Sequence, residues 1–347
     1  MKFPSFLSRR IPPLLLSVVL AAAPTLAHAA DVVVASLGGI WETATRECFV
    51  APYEKQTGKK ALVVLGTSAQ WVNQVAANPS KPPIDLILVA PDMVIENVKR
   101  GLVDPFTVDK LPVLKDMDPQ MLAIGQGHGV VVGFSSMGLA YNKKTVKNPP
   151  KTWDEFVTRT EKGEWEAAIQ GMKQGSTPST VLWALAKNYG GGADNIDPAF
   201  DAIKRMRAGG HMRVWNDMNE FLNLIKTGEI DIGMYWEGRT WAFHDDGNPE
   251  IGFIKPKPGV AIHSTLVQKP KNSNEEAWNF LNVMLSEPAM SCFGNRMQYG
   301  VGNAKAVYSP AVADRITKLD EILWPPYDKI APNVRAWVER WNKEVER

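Results

Sequence analysis

The stretch Asp31-Val-Val-Val-Ala-Ser-Leu-Gly-Gly39 is a run of β-branched residues that stops at two glycines. It predicts a strand followed by a helix over 40–56, with Gly58 as the helix cap. The same alternation recurs twice, with apolar runs at 61–65 and 84–89 that each precede a helical stretch. Continuous apolar strands separated by helices predict an α/β fold with a parallel sheet covered on both faces.

Farther along the chain, the runs 130–134 and 138–141 read as paired strands that carry the chain from one lobe to another. A further run at 261–267 reads as a strand that returns to the first lobe. The sequence therefore predicts two α/β lobes joined by hinge strands, with a ligand cleft between them. The predicted boundaries are 30–135 plus 259–305 for the first lobe, and 136–258 plus 306–347 for the second.

The first 29 residues have the pattern of an export signal. Lys2, Arg9 and Arg10 precede an apolar run over 11–23, and Ala27-His28-Ala29 matches the small-x-small cleavage pattern. The alternative is a membrane anchor, but the run is shorter than the ~20 apolar residues that cross a bilayer. We therefore expect residues 1–29 to be a cleaved signal peptide and the mature protein to reside in the periplasm.

Net charge and composition exclude several classes of protein. Without residues 1–29 the chain has 36 basic and 37 acidic side chains, so its net charge is −1. A nearly neutral chain has no electrostatic footprint for nucleic acid or for an anionic membrane. The 12 Trp, 12 Phe and 7 Tyr residues supply a large apolar core, which excludes a disordered chain.

The chain has two cysteines, Cys48 and Cys292. Two thiols cannot supply the four ligands of a structural zinc site. In an oxidising compartment they could form a disulfide that closes a loop of over 200 residues. The alternative is two separate buried thiols that behave as small apolar side chains. The sequence leaves both possibilities open.

Motifs for catalysis and cofactor binding are absent from the sequence. No GxGxxG, GxxxxGK[ST], HExxH or GxSxG pattern occurs, so we expect no cofactor and no catalytic residues. The histidines after the leader show no metal-ligand spacing, and we expect no metal site. These histidines are His128, His211, His244 and His263. An exported lyase or hydrolase that uses carboxylates in the cleft remains the alternative class.

Polar residues suited to holding a small solute lie where predicted strands give way to helices. Gly39 precedes one helix, Thr67 and Ser68 begin the next, and Asp92 lies at the start of the third. In open α/β sheets a ligand binds beyond the carboxyl ends of the strands, where these junctions lie. Helix capping uses the same residue types and is the alternative explanation for each position.

Several segments follow one another in a recognisable order along the chain. They are Ala51-Pro-Tyr-Glu-Lys-Gln-Thr-Gly58, Ile84-Asp-Leu-Ile-Leu-Val89, Gly101-Leu-Val-Asp-Pro-Phe106, Gly138-Leu-Ala-Tyr-Asn-Lys143, Pro149-Pro-Lys-Thr-Trp153, Gly228-Glu-Ile-Asp-Ile-Gly-Met-Tyr-Trp236, Asn274–Leu285 and Tyr299-Gly-Val-Gly-Asn303. With these segments, essentially the whole mature chain resembles the periplasmic solute-binding proteins of ABC importers, and in particular the spermidine/putrescine-binding group. The resemblance implies a monomer with two lobes that close on a small molecule and then dock on permease subunits in the inner membrane.

Under this resemblance, Trp236 matches a tryptophan that packs on the ligand's carbon chain. The acids that hold ammonium groups in polyamine binders fall on Ser176, Ser179 and Ser264 in this chain. Because an ammonium group loses its hydration in a cleft, hydroxyls are poor substitutes for carboxylates. The serines that replace the family's acids therefore argue against a polyamine in this cleft.

Arg239 follows Trp236 closely, and its guanidinium matches a carboxylate or phosphate bidentately. We therefore expect a carboxylate-bearing solute, held by Arg239 with help from the hydroxyls of Ser176, Ser179, Ser264, Thr265 and Thr67. Asp92 would take an amine if the solute is zwitterionic. Ligand-stacking faces are expected among the tryptophans, with Trp41, Trp215 and Trp236 as candidates.

Two alternatives remain open at the sequence level. Arg239 could pair with an acid on its own helix, namely Glu237, Asp245 or Asp246. The chain could also be a polyamine carrier with a rearranged set of acids, using Asp92, Glu42 or Glu237. Iron-binding relatives use adjacent tyrosines, and no Tyr-Tyr pair occurs here.

Overall fold

The computed structural model describes residues 30–174 and 176–346, so the predicted signal peptide lies outside the described residues. Within them the chain forms short strands connected mostly by helices. The strands are β1 (Val32–Ser36), β2 (Ala61–Leu65), β3 (Ile87–Val89), β4 (Val130–Asn142), β5 (Ala167–Gln170), β6 (Met212–Trp215), β7 (Ile232–Trp236), β8 (Ile251–Ile254) and β9 (Ala261–Gln268).

The helices that follow these strands are mostly of two to four turns. They are α1 (Ile40–Thr45), α2 (Ala51–Thr57), α3 (Ser68–Ala77), α4 (Pro91–Lys99), α5 (Pro119–Ile124), α6 (Trp153–Glu161), α7 (Ser176–Asn188), α8 (Asp197–Ala208), α9 (Met218–Thr227), α10 (Glu237–Asp245), α11 (Glu276–Met284), α12 (Glu287–Met297), α13 (Pro310–Ala313), α14 (Tyr327–Ile330) and α15 (Val334–Glu344). A π-helical turn, Arg46–Val50, joins α1 to α2, and 3₁₀ turns occur at Pro112–Asp116, Met172–Gln174, Leu319–Glu321 and Ala331–Asn333.

The buried apolar residues form two separate cores. We call the elements packed on the first core lobe 1 and those packed on the second core lobe 2. Lobe 1 contains β1–β3, α1–α5, α11 and α12; lobe 2 contains β5–β8, α6–α10, α14 and α15. The last helix packs on lobe 2 through one apolar stripe, because Trp337, Trp341 and Val345 are all buried there.

Two strands pass from one core to the other. The first half of β4 packs in lobe 1 and its second half in lobe 2, while β9 begins in lobe 2 and ends in lobe 1. They pair antiparallel from Val130↔Val267 to Met137↔Ala261. The two strands predicted at 130–134 and 138–141 are therefore halves of one strand. Ser135 and Ser136, which interrupt the apolar run, are buried within it.

The sheets are mixed rather than purely parallel, which corrects the sequence prediction. Strands β1 and β2 are parallel, and a parallel bridge joins Val34 to Leu86 just before β3. Strand β3 then pairs antiparallel with β9. In the larger sheet the strand order is β3-β9-β4-β7-β5-β6, with β8 on β4. The returning strand β9 supplies the antiparallel pairing that the local pattern could not reveal.

The two cysteines lie in lobe 1 and form a disulfide. Cys48 lies in the π-helical turn and Cys292 in α12, and their Cα atoms are 5.5 Å apart. This separation is ordinary for a disulfide. In the described part of the chain, no helix is long and apolar enough to cross a membrane.

Candidate functional site

A cavity of about 330 Å³ opens between the two lobes. Lobe 1 supplies the start of α1, the end of α12 and Tyr299; lobe 2 supplies α9 and α10. The lining residues are Ile40, Trp41, Leu222, Gly238, Arg239, Ala242, Phe243, Asp246, Met297 and Tyr299. The structure thus brings together two predicted site residues, Trp41 and Arg239, that are far apart in sequence. We call this cavity the interlobe pocket.

The lobe 1 wall of the interlobe pocket depends on the turn at Gly39. Gly39 has a φ of 68°, a left-handed conformation that favours glycine, and it begins α1. The turn leaves Ile40 51% exposed and directs Trp41 into the core. Trp41 packs edge-on against Phe293 and Tyr299, with ring centroids 4.9 and 6.2 Å apart. These contacts fix the aromatic wall.

Arg239 lies in the first turn of α10, directly after β7. Its side chain is exposed and forms no ion pair with any residue in the described ranges 30–174 and 176–346. Burial raises the pKa of Tyr235 and of Tyr299, and the nearby Arg239 guanidinium opposes both rises. Both phenols therefore stay neutral beside a cation whose charge is not neutralised. Such a cation can bind an anion.

Two of the three acids that could have paired with Arg239 have other partners. Both Glu237 oxygens accept hydrogen bonds from Thr317, at 3.2 Å from its N–H and 2.9 Å from its hydroxyl. Asp245 accepts two hydrogen bonds from Arg315, at 2.7 and 2.9 Å. Asp246 lines the pocket itself and forms no ion pair among the described residues. The pocket therefore contains one unpaired cation and one unpaired anion.

Asp92 lies in a second, much smaller cavity. That cavity has a volume of about 20 Å³, roughly room for one water, and is also lined by Thr180, His263 and Tyr327. Asp92 is in the first turn of α4, but the N-cap is Ala90 and has no side-chain hydrogen bond, so capping does not explain Asp92. Burial lowers the pKa of His263, and Asp92 opposes that change.

Trp236 lies near a lining residue of each cavity, Arg239 in the sequence and His263 in space. It is the last residue of β7, three residues before Arg239, and its ring lies edge-on to His263 with centroids 5.9 Å apart. Trp236 is buried, and its indole N–H has no hydrogen-bond partner in the described structure. A buried N–H without a partner is costly, but Trp236 is not among the residues that line either cavity.

The other predicted residues lie outside the interlobe pocket. Thr67 caps α3 in a reciprocal capping box with Gln70, and Ser68 is the first residue of that helix. Ser179 and Ser264 are fully buried, and Thr265 is nearly so. Ser176 begins α7, but its side chain lies outside the described structure.

Trp215 is a core residue rather than the cleft-facing residue predicted from the sequence. It is fully buried in lobe 2 and donates a hydrogen bond from Nε1 to the Met234 carbonyl at 3.0 Å. Its ring packs edge-on against Phe221 and Tyr235. No face of the ring is left for a ligand.

Sequence reasoning missed several residues of these cavities. Tyr299 lies in a segment that carries the family resemblance, but nothing in its local sequence marks it as a pocket residue. The sequence indicates Asp246 only as a partner for Arg239, and His263 only as a surface or core histidine. Leu222 and Phe243 carry no signal, because apolar residues on an amphipathic helix predict burial rather than ligand contact.

Replacing Gly238 by Ala is expected to push Tyr299 out of the pocket wall. A Cβ at position 238 would lie 2.4 Å from Tyr299 Cε1, too close for any side chain. Overpacking of this kind costs about 1–3 kcal/mol, which urea unfolding would detect. The matched control is Gly192→Ala, because a Cβ there meets nothing closer than 4.0 Å. Equal stability of Gly238→Ala and wild type would contradict the described packing.

Comparison with known proteins places this geometry among solute-binding proteins. The model of the family described as bacterial extracellular solute-binding protein matches residues 81–333. Among curated proteins, the putrescine-binding periplasmic protein of Escherichia coli is 23% identical over 305 residues, which cover 80% of each chain.

Solved structures share the fold over nearly the whole chain. A protein from Bordetella parapertussis, described as an extracellular solute-binding protein, has a TM-score of 0.83 and 26% identity, covering 90% of this chain and 98% of the other. A GABA receptor named Atu4243 has a TM-score of 0.74 and 19% identity, covering 90% and 96%. These similarities confirm the predicted two-lobe α/β fold.

Proposed function

We propose that this chain, which belongs to the bacterial extracellular solute-binding protein family, captures a small organic solute that carries a carboxylate. It is the periplasmic solute-binding component of an ABC transporter, a class that delivers small ligands to a permease rather than transforming them. We propose that its ligand is an organic acid or an amino-acid-like compound. Residues 1–29 would direct export and then be removed.

One observation carries the carboxylate assignment. Arg239 lies near Tyr235, forms no ion pair with the residues that the structure describes, and lines a pocket between the two lobes. A cation held in such a place is poised for a charge-assisted, bidentate hydrogen bond to a carboxylate. A structure of the same fold is named as a GABA receptor, and GABA has one carboxylate and one amine. In this chain Asp246 would face an amine of that kind.

Lobe closure supplies the capture step. The strands β4 and β9 connect the lobes, and the pocket walls come from both. A ligand that contacts both walls binds the closed form better than the open form, so it shifts the population toward closure. Arg239 from lobe 2 and Trp41 from lobe 1 would then hold opposite sides of the same molecule.

Polyamine binding is the second candidate, favoured by the name of the putrescine-binding relative. Of the three acids suggested for it, Glu42 pairs with Arg46 at 2.9 Å, and Glu237 is fully buried against Thr317. Only Asp92 faces a cavity, and that cavity holds about one water. A diamine in the interlobe pocket would instead meet the Arg239 cation.

A thermal-shift panel tests the proposed function. Mature wild-type protein is mixed with monocarboxylates, dicarboxylates, amino acids, 4-aminobutyrate, putrescine and spermidine. At 100 times Kd, a ligand stabilises the folded state by about 2.7 kcal/mol, enough for a clear rise in Tm. We expect rises with carboxylate-bearing compounds. A rise with putrescine or spermidine alone would refute the carboxylate assignment and favour the polyamine alternative.

A further inference from the structure

We infer that the solute is a monocarboxylic acid with an apolar body, of the aromatic or branched-chain type. This inference rests on the proposed function, because it places the carboxylate on Arg239. The first observation is the lining itself: Arg239 and Asp246 are its only charged residues, and the rest of the wall is glycine or apolar and aromatic side chains. Apart from the Tyr299 phenol and the Trp41 indole N–H, the wall offers the hydroxyls of a sugar-like or hydroxy-acid ligand no uncharged polar side chain.

The second observation is that Ile40, which lines the pocket, is exposed, as is Leu65 outside the pocket lining. Ile40 is 51% exposed, and Leu65 at the end of β2 is 49% exposed. Leu65 pairs in register with Ser36, the last residue of β1, so it lies at the sheet edge that leads to Ile40. Large apolar side chains held in water favour burial by an apolar surface. A ligand body of that character would cover Ile40, which lines the pocket.

The third observation is the position of the two lobes around the apolar wall. Ile40 and Trp41 come from lobe 1, whereas Leu222 and Phe243 come from lobe 2. An apolar body between them would contact both lobes at once. Since that contact exists only when the lobes are close together, the apolar body itself would favour the closed form.

Once one carboxylate is placed on Arg239, the balance of charges disfavours a second carboxylate on the solute. A second carboxylate would approach Asp246, and a diamine would approach Arg239, so each would meet a like charge. A single carboxylate meets only the cation. An α-amino group on the same acid is compatible, because Asp246 offers it a counter-charge. The inference therefore covers apolar acids with or without an amino group.

Calorimetric titration of matched ligands tests the inference. We would titrate 3-phenylpropionate and 4-methylpentanoate, and compare them with succinate, 4-aminobutyrate, putrescine and 3-phenylpropylamine. We expect at least one apolar acid to bind 100-fold tighter than succinate and 4-aminobutyrate. The amine 3-phenylpropylamine keeps the apolar body but replaces the carboxylate, so we expect it to bind more weakly than the apolar acids; equal or tighter binding of this amine would overturn the inference.

A variant of the apolar wall gives an independent readout. Ile40→Asn is expected to weaken binding of the apolar acid about 5- to 10-fold and to leave Tm of the free protein unchanged, because Ile40 is half exposed. The control Val307→Asn replaces another exposed apolar residue, 65% exposed and outside the pocket lining, and should change neither quantity. Equal affinity of Ile40→Asn and wild type would overturn the inference.

The titrations also separate failure of this inference from failure of the proposed function. Binding of succinate or 4-aminobutyrate without any apolar acid overturns the inference and leaves the carboxylate assignment standing. Binding of putrescine alone overturns both. If no apolar acid binds after exhaustive dialysis of the protein, the inference is also wrong, whichever other compound binds.

Discussion

Replacing both Cys48 and Cys292 by Ala is expected to lower the free energy of unfolding by about 5 kcal/mol. The disulfide joins residues 244 positions apart, so its loop encloses all of the lobe 2 strands. In the chain-entropy model a cross-link across so long a loop restricts the unfolded chain strongly, and the loss scales with the logarithm of loop length. Urea unfolding of the variant and of wild type, with and without reductant, measures the difference.

Wild-type protein under reducing conditions is the internal control for this prediction. It should approach the stability of the double variant, because both then lack the cross-link. The double variant itself should not respond to reductant. A loss below 1 kcal/mol, or thiols that react with iodoacetamide in the folded, unreduced protein, would contradict the disulfide.

Glu237→Gln is expected to stabilise the protein by about 3 kcal/mol above pH 8 and by little at pH 4. Burial raises the pKa of Glu237 to about 7 from the ordinary 4.5, against the opposing effects of Lys255 and Thr317. Between these two pH values the folded state holds a proton that the unfolded state has released. The contribution of Glu237 to the free energy of unfolding is therefore fully present below pH 4.5 and is lost as the pH rises through 7.

The surroundings of Glu237 allow an amide to replace the carboxylate. A Gln oxygen can accept from the Thr317 N–H, and its NH₂ group can donate to the Thr317 hydroxyl, which already lies 2.7 Å from Ser136 Oγ. Lys255 would still have an ion-pair partner in the variant, because its Nζ lies 2.8 Å from the Glu321 carboxylate. Urea unfolding across pH 4–9 measures the effect, with the exposed Glu339→Gln as control. Parallel pH profiles for Glu237→Gln and wild type would contradict the assigned pKa.

Local sequence patterns predicted most strands but not how β4 is used. Val130–Phe134 and Gly138–Tyr141 are separated by Ser135 and Ser136, which read as a break in an apolar run. In the structure both serines are buried and hydrogen-bonded to distant residues. The Ser135 hydroxyl accepts from the Gly238 N–H, and the Ser136 hydroxyl accepts from the Thr317 hydroxyl. Partners more than 100 residues away satisfy these hydroxyls, so no local pattern could have placed them inside a strand.

The site was predictable only in part for the same reason. The family resemblance located Trp236, and the departure from its acidic pattern drew attention to Arg239. Whether Arg239 is free depends on Asp245 binding Arg315, 70 residues later, and on Glu237 binding Thr317, 80 residues later. Trp215 and Trp41 looked equivalent in the sequence. Packing alone distinguishes them, since Trp215 is enclosed by Phe221 and Tyr235, whereas Trp41 lines the interlobe pocket.

Calorimetric titration of the tightest-binding carboxylate against wild type, Arg239→Ala and Arg335→Ala tests the central claim most directly. Arg335 is 93% exposed on α15 and, among the residues that the structure describes, forms an ion pair only with Glu339. It therefore controls for the loss of an arginine charge outside the pocket. We predict that Arg239→Ala weakens binding at least 100-fold, because a charge-assisted bidentate hydrogen bond is lost, and that Arg335→Ala binds as wild type does. Unchanged affinity in Arg239→Ala would show that the carboxylate is held elsewhere.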